Sequence, residues 1–493
     1  MTVNETTTNQ IDTSCRVPLL VLFGGAALWL VVGSVLALVA SLTFHLPDKF
    51  GDCAWLTYGR IQPAADDALL YGFCVPAGLG VALWIFARLG QVPLRGAIVP
   101  VVAAHLWHLG VLVGLVGIFV GDSTGFAWLE FPRGGSALLF FAYLLLGLWA
   151  LMNFSGRRDG GLFPSHWFLL AALFLFPWIY STANILIVGW PVRGVVQAVI
   201  AWWFGNNLVF LWTSLVGIGT AFYFLPKFCA RPLQTYFYAL FAFWTLLIFG
   251  SLRGIPAGAP VPAWLPALSS LNSLMLVVPV IAIAVIGWQT VRRATGPECK
   301  GGSFCMIKFG YVAFVLSALL LITASCPQIS RLTQFTWFGV AQTQLQLYGF
   351  FTITMFGAIY YILPRAVGFD FAFPKLIRVQ HWFAMLGLVI FVASLVIGGV
   401  MQGIKLQNPN LAFADSTRAM LPFLRISTMG LLFLLLANLL FALNLFVMIA
   451  SWKWSVAKSV WAVVTAPLDK SSASAPLRRD RAVAEGKGGE VKA

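Results

Sequence analysis

The chain has 493 residues, of which 60% are hydrophobic and only 10% are charged, and it carries a net charge of +15 at pH 7. Soluble domains are about 25% charged, so this composition excludes a soluble globular protein and predicts an all-α integral membrane protein. The seven cysteines contain no Cys-x-x-Cys spacing, which excludes a covalently attached c-type haem and a zinc knuckle.

About twelve segments are long and apolar enough to cross a bilayer, which takes about 20 residues of helix. They are predicted as helices because backbone groups in lipid must bond within their own segment. The organisation expected is a short cytoplasmic N-terminal segment (1–16), a transmembrane domain (17–451) and a basic, largely disordered cytoplasmic tail (452–493). The predicted spans are 17–43, 66–88, 95–120, 136–154, 164–189, 196–225, 233–252, 264–290, 308–326, 337–363, 379–401 and 421–451.

Lysine and arginine are more frequent in the loops after even-numbered spans and in the tail than in the other loops. The positive-inside rule therefore places those loops and both termini in the cytoplasm. We expect a multi-pass protein of a bacterial-type inner (cytoplasmic) membrane. Topology and anionic lipid account for the positive charge, and no nucleic-acid partner is expected.

The acidic residues fall almost entirely in loops and tails, and only Asp66 and Asp67 lie at the edge of a span, the second. One interpretation is a solvated helix N-terminus, where negative charge interacts favourably with the helix dipole. The other is a cation or proton entry site on the outer side. Since no acidic residue is predicted at mid-depth, the pattern argues against a proton-coupled carrier.

The five histidines include one pair inside a span, His105 and His108. Their i, i+3 spacing puts them on one face of the third helix. This pair is the only internal constellation that could bind a metal or a haem iron. The alternative interpretation is a hydrogen bond between helices.

Five segments, in their order and spacing, resemble the catalytic subunit I of cbb3-type cytochrome c oxidases, in the haem–copper oxidase superfamily. The resemblance runs from about residue 17 to about residue 450 and implies a twelve-helix bundle like that of subunit I. The segments are Leu56-Thr57-Tyr58-Gly59-Arg60, Trp202-Trp203-Phe204-Gly205-Asn206-Asn207, Arg231-Pro232, Phe356-Gly357-Ala358-Ile359-Tyr360-Tyr361-Ile362-Leu363-Pro364-Arg365 and Gly398-Gly399-Val400-Met401-Gln402-Gly403.

The resemblance also implies where six histidines of that family would hold two haems and a copper ion. None of these positions is histidine in this chain, because the haem positions fall on Ala65, Gln342 and Gln344, and the copper positions on Asn206, Pro256 and Ala257. An amide is a poor substitute for imidazole at haem iron or copper. No haem or copper is therefore expected, and the space is expected to be filled by bulky residues, namely Leu345, Tyr348, Phe350 and Phe351.

These features favour a non-catalytic, subunit I-like scaffold of a respiratory or electron-transfer complex, with a membrane-anchored c-type cytochrome and lipid as partners. Two alternatives stay open. The chain could be a haem-binding oxidase-type subunit that holds one b-type haem through His105 and His108 in place of the family ligands. It could instead be a lipid-binding, quinone-binding or transport protein that has reused the fold.

Overall fold

The computed structural model describes residues 5–46, 49, 53–158, 160–233, 236–292 and 297–465. It divides into two compact units, Met1–Ile449 and Ala450–Ala493. In the described part of both units the regular elements are all helices. In the second unit, 450–465 are helical, so the predicted disordered tail begins with a helical stretch, and its remainder lies outside the described residues.

Eleven of the described helices are long and apolar enough to span a membrane, and a twelfth apolar helix, α7, is shorter. The predicted all-helical architecture with about twelve spans is therefore confirmed. In chain order the helices are α1 Glu5–Leu42, α2 Tyr58–Gly90, α3 Ile98–Val120, α4 Arg133–Ser155, α5 Pro164–Gly189, α6 Val196–Phe228, α7 Tyr236–Ser251, α8 Trp264–Arg292, α9 Gly302–Ala324, α10 Trp337–Val367, α11 Pro374–Leu406 and α12 Phe413–Thr465.

The first two spans begin earlier than predicted, because polar residues at their starts have partners inside the bundle. The apolar span of α1 already begins at Thr7, and Asp12 within it forms an ion pair with Arg88 at the end of α2. Helix α2 begins at Tyr58 and not near residue 66. A hydropathy profile counts a charged residue against a span, even where a residue distant in sequence compensates that charge in the folded protein.

Helices α2, α6 and α10 form the centre of the first unit and are almost entirely enclosed by the others. Each contains a π-helical turn: Ala68–Cys74 in α2, Asn207–Trp212 in α6 and Leu345–Thr352 in α10. π-Helical turns are rare and frequently mark functional sites. Here each one follows directly after a polar residue, Asp67, Asn206 or Gln344.

The predicted orientation can be tested on two exposed, free cysteines at opposite ends of spans, Cys53 before α2 and Cys305 near the start of α9. With cytoplasmic termini, a membrane-impermeant maleimide should label a Cys53-only variant in intact spheroplasts. A Cys305-only variant should be labelled only after permeabilisation. The reverse pattern would contradict the assigned orientation.

Candidate functional site

A hydrogen-bonded triad of polar side chains joins α2 to α10 inside the bundle. The Asp66 carboxylate accepts a hydrogen bond from Gln62 Nε2 at 2.9 Å and another from Gln344 Nε2 at 3.2 Å. Each donor contacts a different carboxylate oxygen. Ala65 lines the same cavity as this triad. The structure thus brings together two of the positions that the resemblance assigns to haem.

The cavity beside the triad has a volume of about 70 Å³. That is well below the roughly 300–1,000 Å³ of typical ligand pockets. Its walls are mainly apolar, and one hydrogen-bond chain runs along them: Tyr348 donates to Asn438 Oδ1 at 2.6 Å, and Asn438 donates to Ser34 at 2.7 Å. We call the cavity beside Gln62, Asp66 and Gln344 the triad cavity.

Asp67 points away from the triad and towards Glu130, in the loop between α3 and α4. Its side chain is buried, and neither oxygen meets an N–H or hydroxyl donor among the described residues. Burial, and then the Asp66 charge, raise the pKa of the Glu130 carboxyl above its ordinary range. Two carboxyl groups this close share a proton more readily than both ionise.

The interpretation of Asp66 and Asp67 as a solvated helix N-terminus is wrong. Helix α2 begins at Tyr58, so both residues lie well inside its apolar span, and only 1% of Asp67 is exposed. The expectation that the spans contain no interior acidic residue fails for the same reason. Asp66 accepts a hydrogen bond from α10, and Asp67 lies beside the carboxyl group of Glu130 in the α3–α4 loop.

The positions assigned to copper also lie together, in the first half of α6 just before its π-helical turn and in the loop after α7. Asn206 Nδ2 donates to the Gly250 carbonyl at 2.9 Å. Gly254 packs so closely that a Cβ there would lie 2.7 Å from the Asn206 Cβ, and its φ of +114° also requires glycine. Pro256 and Ala257 follow directly and line a second cavity of about 330 Å³.

Gln342, the third haem position, reaches this second cavity from α10, and its Nε2 donates to Ser317 at 3.2 Å. The residues at all six positions therefore do not fit haem or copper. Ala65, Pro256 and Ala257 have no side-chain donor atom. The amides of Gln342, Gln344 and Asn206 are already bonded to protein groups.

Bulky rings fill the space between the three central helices. Phe350 and Phe351 are fully buried in α10. The ring of Phe350 lies where a Cβ on Gly217 of α6 would collide with it, and the centre of the Phe351 ring lies 5.8 Å from that of Trp212, with the two rings tilted by 36°. These rings occupy space between α6 and α10.

The histidine pair of α3 lies on the outside of this centre. His105 is exposed and its Nδ1 bonds the Val101 carbonyl at 2.8 Å, one turn back in the same helix. His108 packs against Gly25 of α1. Trp107, which lies between the two histidines in α3, does contact a central helix, because its Nε1 donates to the Tyr71 carbonyl of α2 at 2.7 Å. Within the described residues, no group of three or more potential ligands could hold a metal ion.

Three polar contributors to these sites are not predicted by the sequence: Gln62, Glu130 and Arg253. Gln62 precedes Asp66 by one helical turn, and this i, i+4 spacing is a signal that could have identified it. Glu130 and Arg253 are loop residues whose role depends on contacts with distant helices, so no local pattern marks them.

The comparisons with known proteins agree with this architecture. The family model described as Cytochrome C and Quinol oxidase polypeptide I matches residues 17–433. The chain belongs to this family. As a member of it, the chain is most informatively compared with relatives that cover nearly all of its length.

Three relatives illustrate the comparison. A cytochrome c oxidase subunit 1 homolog of Azorhizobium caulinodans is 22% identical over 452 residues, 86% of this chain and 80% of the relative. Cytochrome c oxidase subunit 1 of Rhodobacter capsulatus is 23% identical over 86% of this chain and 83% of its own. The cbb3-type subunit CcoN1 of Stutzerimonas stutzeri is 22% identical over 76% of this chain and 81% of its own.

The fold of this family member also matches a solved structure, a chain of a haem–copper terminal oxidase dimer. The match has a TM-score of 0.67 at 16% identity and covers 90% of this chain and 84% of the other. At this identity the likeness establishes the shared fold.

Proposed function

We propose that this family member is a non-catalytic, cbb3-like subunit I that serves as a membrane scaffold in a respiratory or electron-transfer complex, without haem or copper of its own. The observation that carries the proposal is the donor set at the six ligand positions. Three side chains there lack a donor atom, and three amides are bonded to protein groups. An enzyme that reduces oxygen needs iron and copper held by stronger ligands.

The same hydrogen bonds support a structural role, because they join helices that a cofactor would otherwise bridge. Gln344 to Asp66 links α10 to α2, and Asn206 to the Gly250 carbonyl links α6 to α7. Each such bond contributes about 1 kcal/mol. Together with the buried rings of α10, they stabilise the centre of the bundle without a prosthetic group.

A membrane-anchored c-type cytochrome subunit is the partner that fits this role, and lipid covers the outer helices. Family membership and the names of the relatives, cytochrome c oxidase subunits, support this partner. Its redox centre would be attached to its own chain. We place the assembly in a cytoplasmic membrane, with the termini of this chain in the cytoplasm.

Oxygen uptake by the complex tests the proposal. The chain is purified from native membranes in mild detergent, supplied with ascorbate and an artificial electron donor, and compared with a cbb3-type relative prepared in the same way. We expect uptake at the detergent blank, and a co-purifying band that stains for covalent haem. Cyanide-sensitive uptake that follows this chain through purification would contradict a non-catalytic role.

The lining of the triad cavity favours a second candidate, a lipid- or quinone-binding protein, of whose ligand a cavity of about 70 Å³ could admit only a part. It combines apolar walls with the carboxylate of Asp66 and the hydroxyl of Tyr58, which suit a ligand with a small polar head and an apolar body. A stoichiometric lipid or quinone in the organic extract of the purified chain, without partner subunits, would favour this candidate over the scaffold. An extract without such a compound would exclude it.

A further inference from the structure

The second cavity has a polar lining and a volume in the range of genuine ligand pockets. It measures about 330 Å³, against roughly 300–1,000 Å³ for typical pockets. It lies between the loop after α7, the helices α8, α9 and α10, and the short helix Pro327–Thr333. Its polar lining consists mainly of hydroxyl and amide groups, from Ser269, Ser270, Ser273, Ser325, Ser330, Thr333, Gln334 and Gln342.

The charged group in this lining is Arg253. Its Nε donates to the Ser273 hydroxyl at 3.2 Å, and its guanidinium carbon lies 4.9 Å from the centre of the Phe210 ring. Arg253 takes part in none of the ion pairs found in the described residues, and no acidic residue lines the cavity. Its positive charge therefore faces the cavity without a protein counter-charge.

Two further features indicate that the Arg253 charge and a neighbouring N–H donor lack partners within the protein. Burial lowers the pKa of the Arg253 guanidinium to about 9, as is expected of a cation removed from water without a counter-ion. Gln334 Nε2, also in the lining, is buried and meets no acceptor among the described residues. A buried donor without an acceptor is costly unless something else binds it.

We propose that this cavity binds a small oxyanion, with Arg253 as its charged anchor and Gln334 as a neutral donor. The planar guanidinium presents paired N–H donors that match two oxygens of a carboxylate, nitrate, sulfate or phosphate group. Hydroxyl groups can donate to the remaining oxygens. A cation is disfavoured, because Arg253 repels it and no carboxylate compensates. The anion site rests on the proposed function, because Pro256, Ala257 and Gln342 line the same cavity and the anion would bind only where no haem or copper is held.

The test is a titration of the purified full chain in detergent with sodium nitrate, sodium sulfate or sodium phosphate, at an ionic strength held constant with sodium chloride. The readout is the melting temperature, followed by tryptophan fluorescence. Ligand binding stabilises the folded state in a saturable way, whereas the general effect of a salt such as sulfate does not saturate. We expect saturable stabilisation by at least one oxyanion.

Two variants and their matched controls locate the binding. Arg253→Gln removes the anchor, and Arg331→Gln removes a charge of the same sign from the exposed side of the short helix, outside the lining. Ser273→Asp keeps Arg253 but places a carboxylate beside its Nε, and Ser273→Asn is nearly the same size without the charge. We expect Arg331→Gln to bind as the wild type does and Arg253→Gln to bind about tenfold or more weakly. Within the serine pair, Ser273→Asp should bind about tenfold or more weakly than Ser273→Asn.

Each possible result of these measurements either supports or overturns the anion site. Weaker saturable binding in Arg253→Gln than in Arg331→Gln, and in Ser273→Asp than in Ser273→Asn, supports the site. The proposal is overturned if the wild type shows no saturable stabilisation by any of the three anions, or if Ser273→Asp binds as tightly as Ser273→Asn. The serine pair decides the matter even where Arg253→Gln does not fold.

Discussion

Replacing Asp12 with alanine is expected to lower the free energy of unfolding by about 3 kcal/mol, a typical cost of breaking a buried ion pair. Only 3% of Asp12 is exposed, its Oδ1 lies 3.1 Å from Arg88 Nε, and it accepts a hydrogen bond from Trp84 Nε1 at 2.9 Å. The substitution leaves the Arg88 guanidinium with little water and no carboxylate. Chemical unfolding in detergent, followed by tryptophan fluorescence, measures the loss.

The matched control is Asp415→Ala, which removes the partner of Arg418 in an ion pair that is 3.6 Å long and largely exposed. Exposed pairs contribute at most about 1 kcal/mol, so this variant should remain close to the wild type. The double variant Asp12→Leu/Arg88→Met should recover much of the stability, because it leaves no unpaired charge. Equal losses in Asp12→Ala and Asp415→Ala would show that α1 and α2 are not joined in this way.

The second large effect concerns pH and the carboxyl pair of Asp67 and Glu130. Burial raises the pKa of Glu130 above its ordinary value of 4.5, so the folded state binds more protons than the unfolded state. Stability is then fully present below pH 4.5 and is lost as pH rises through the raised pKa. Glu130→Gln cannot ionise, and its stability should exceed that of the wild type at pH 8–9 by about 1.4 kcal/mol, the equivalent of one pKa unit.

Melting temperatures measured from pH 5 to pH 9 check this prediction. Asp122→Asn serves as the control, since Asp122 is an exposed carboxylate in the same loop, and it should keep the pH dependence of the wild type. If Glu130→Gln lost stability with rising pH as steeply as the wild type, the two carboxyl groups would not share a proton in the folded protein.

The helical spans could be predicted from sequence because each one is a long apolar run, and lipid leaves its backbone no alternative to a helix. The starts of α1 and α2 could not, because Asp12 and Asp66 interrupt the apolar runs. Inside the bundle Asp12 is compensated by Arg88, and Asp66 by two amides. Those partners are distant in sequence, apart from Gln62, so no window of residues contains the compensation.

The candidate sites, too, could be predicted from the sequence only in part. Positions such as Ala65 and Gln344 could be located from a linear resemblance, and the structure places them on one cavity. The hydrogen bonds made by the replacement side chains, the π-helical turns beside them and the unpaired charge of Arg253 could not be located. They depend on which helices meet, and in particular on the close approach of Gly254 to Asn206.

We propose that the folded bundle is stable with neither iron nor copper bound at its centre. The measurement that addresses it most directly is the haem and metal content of the purified chain, by pyridine haemochrome spectra and by elemental analysis, beside a cbb3-type relative purified in the same way. We predict no non-covalent haem and no copper in proportion to this chain, and both in the relative. One equivalent of b-type haem, or of copper, bound to this chain would contradict the account.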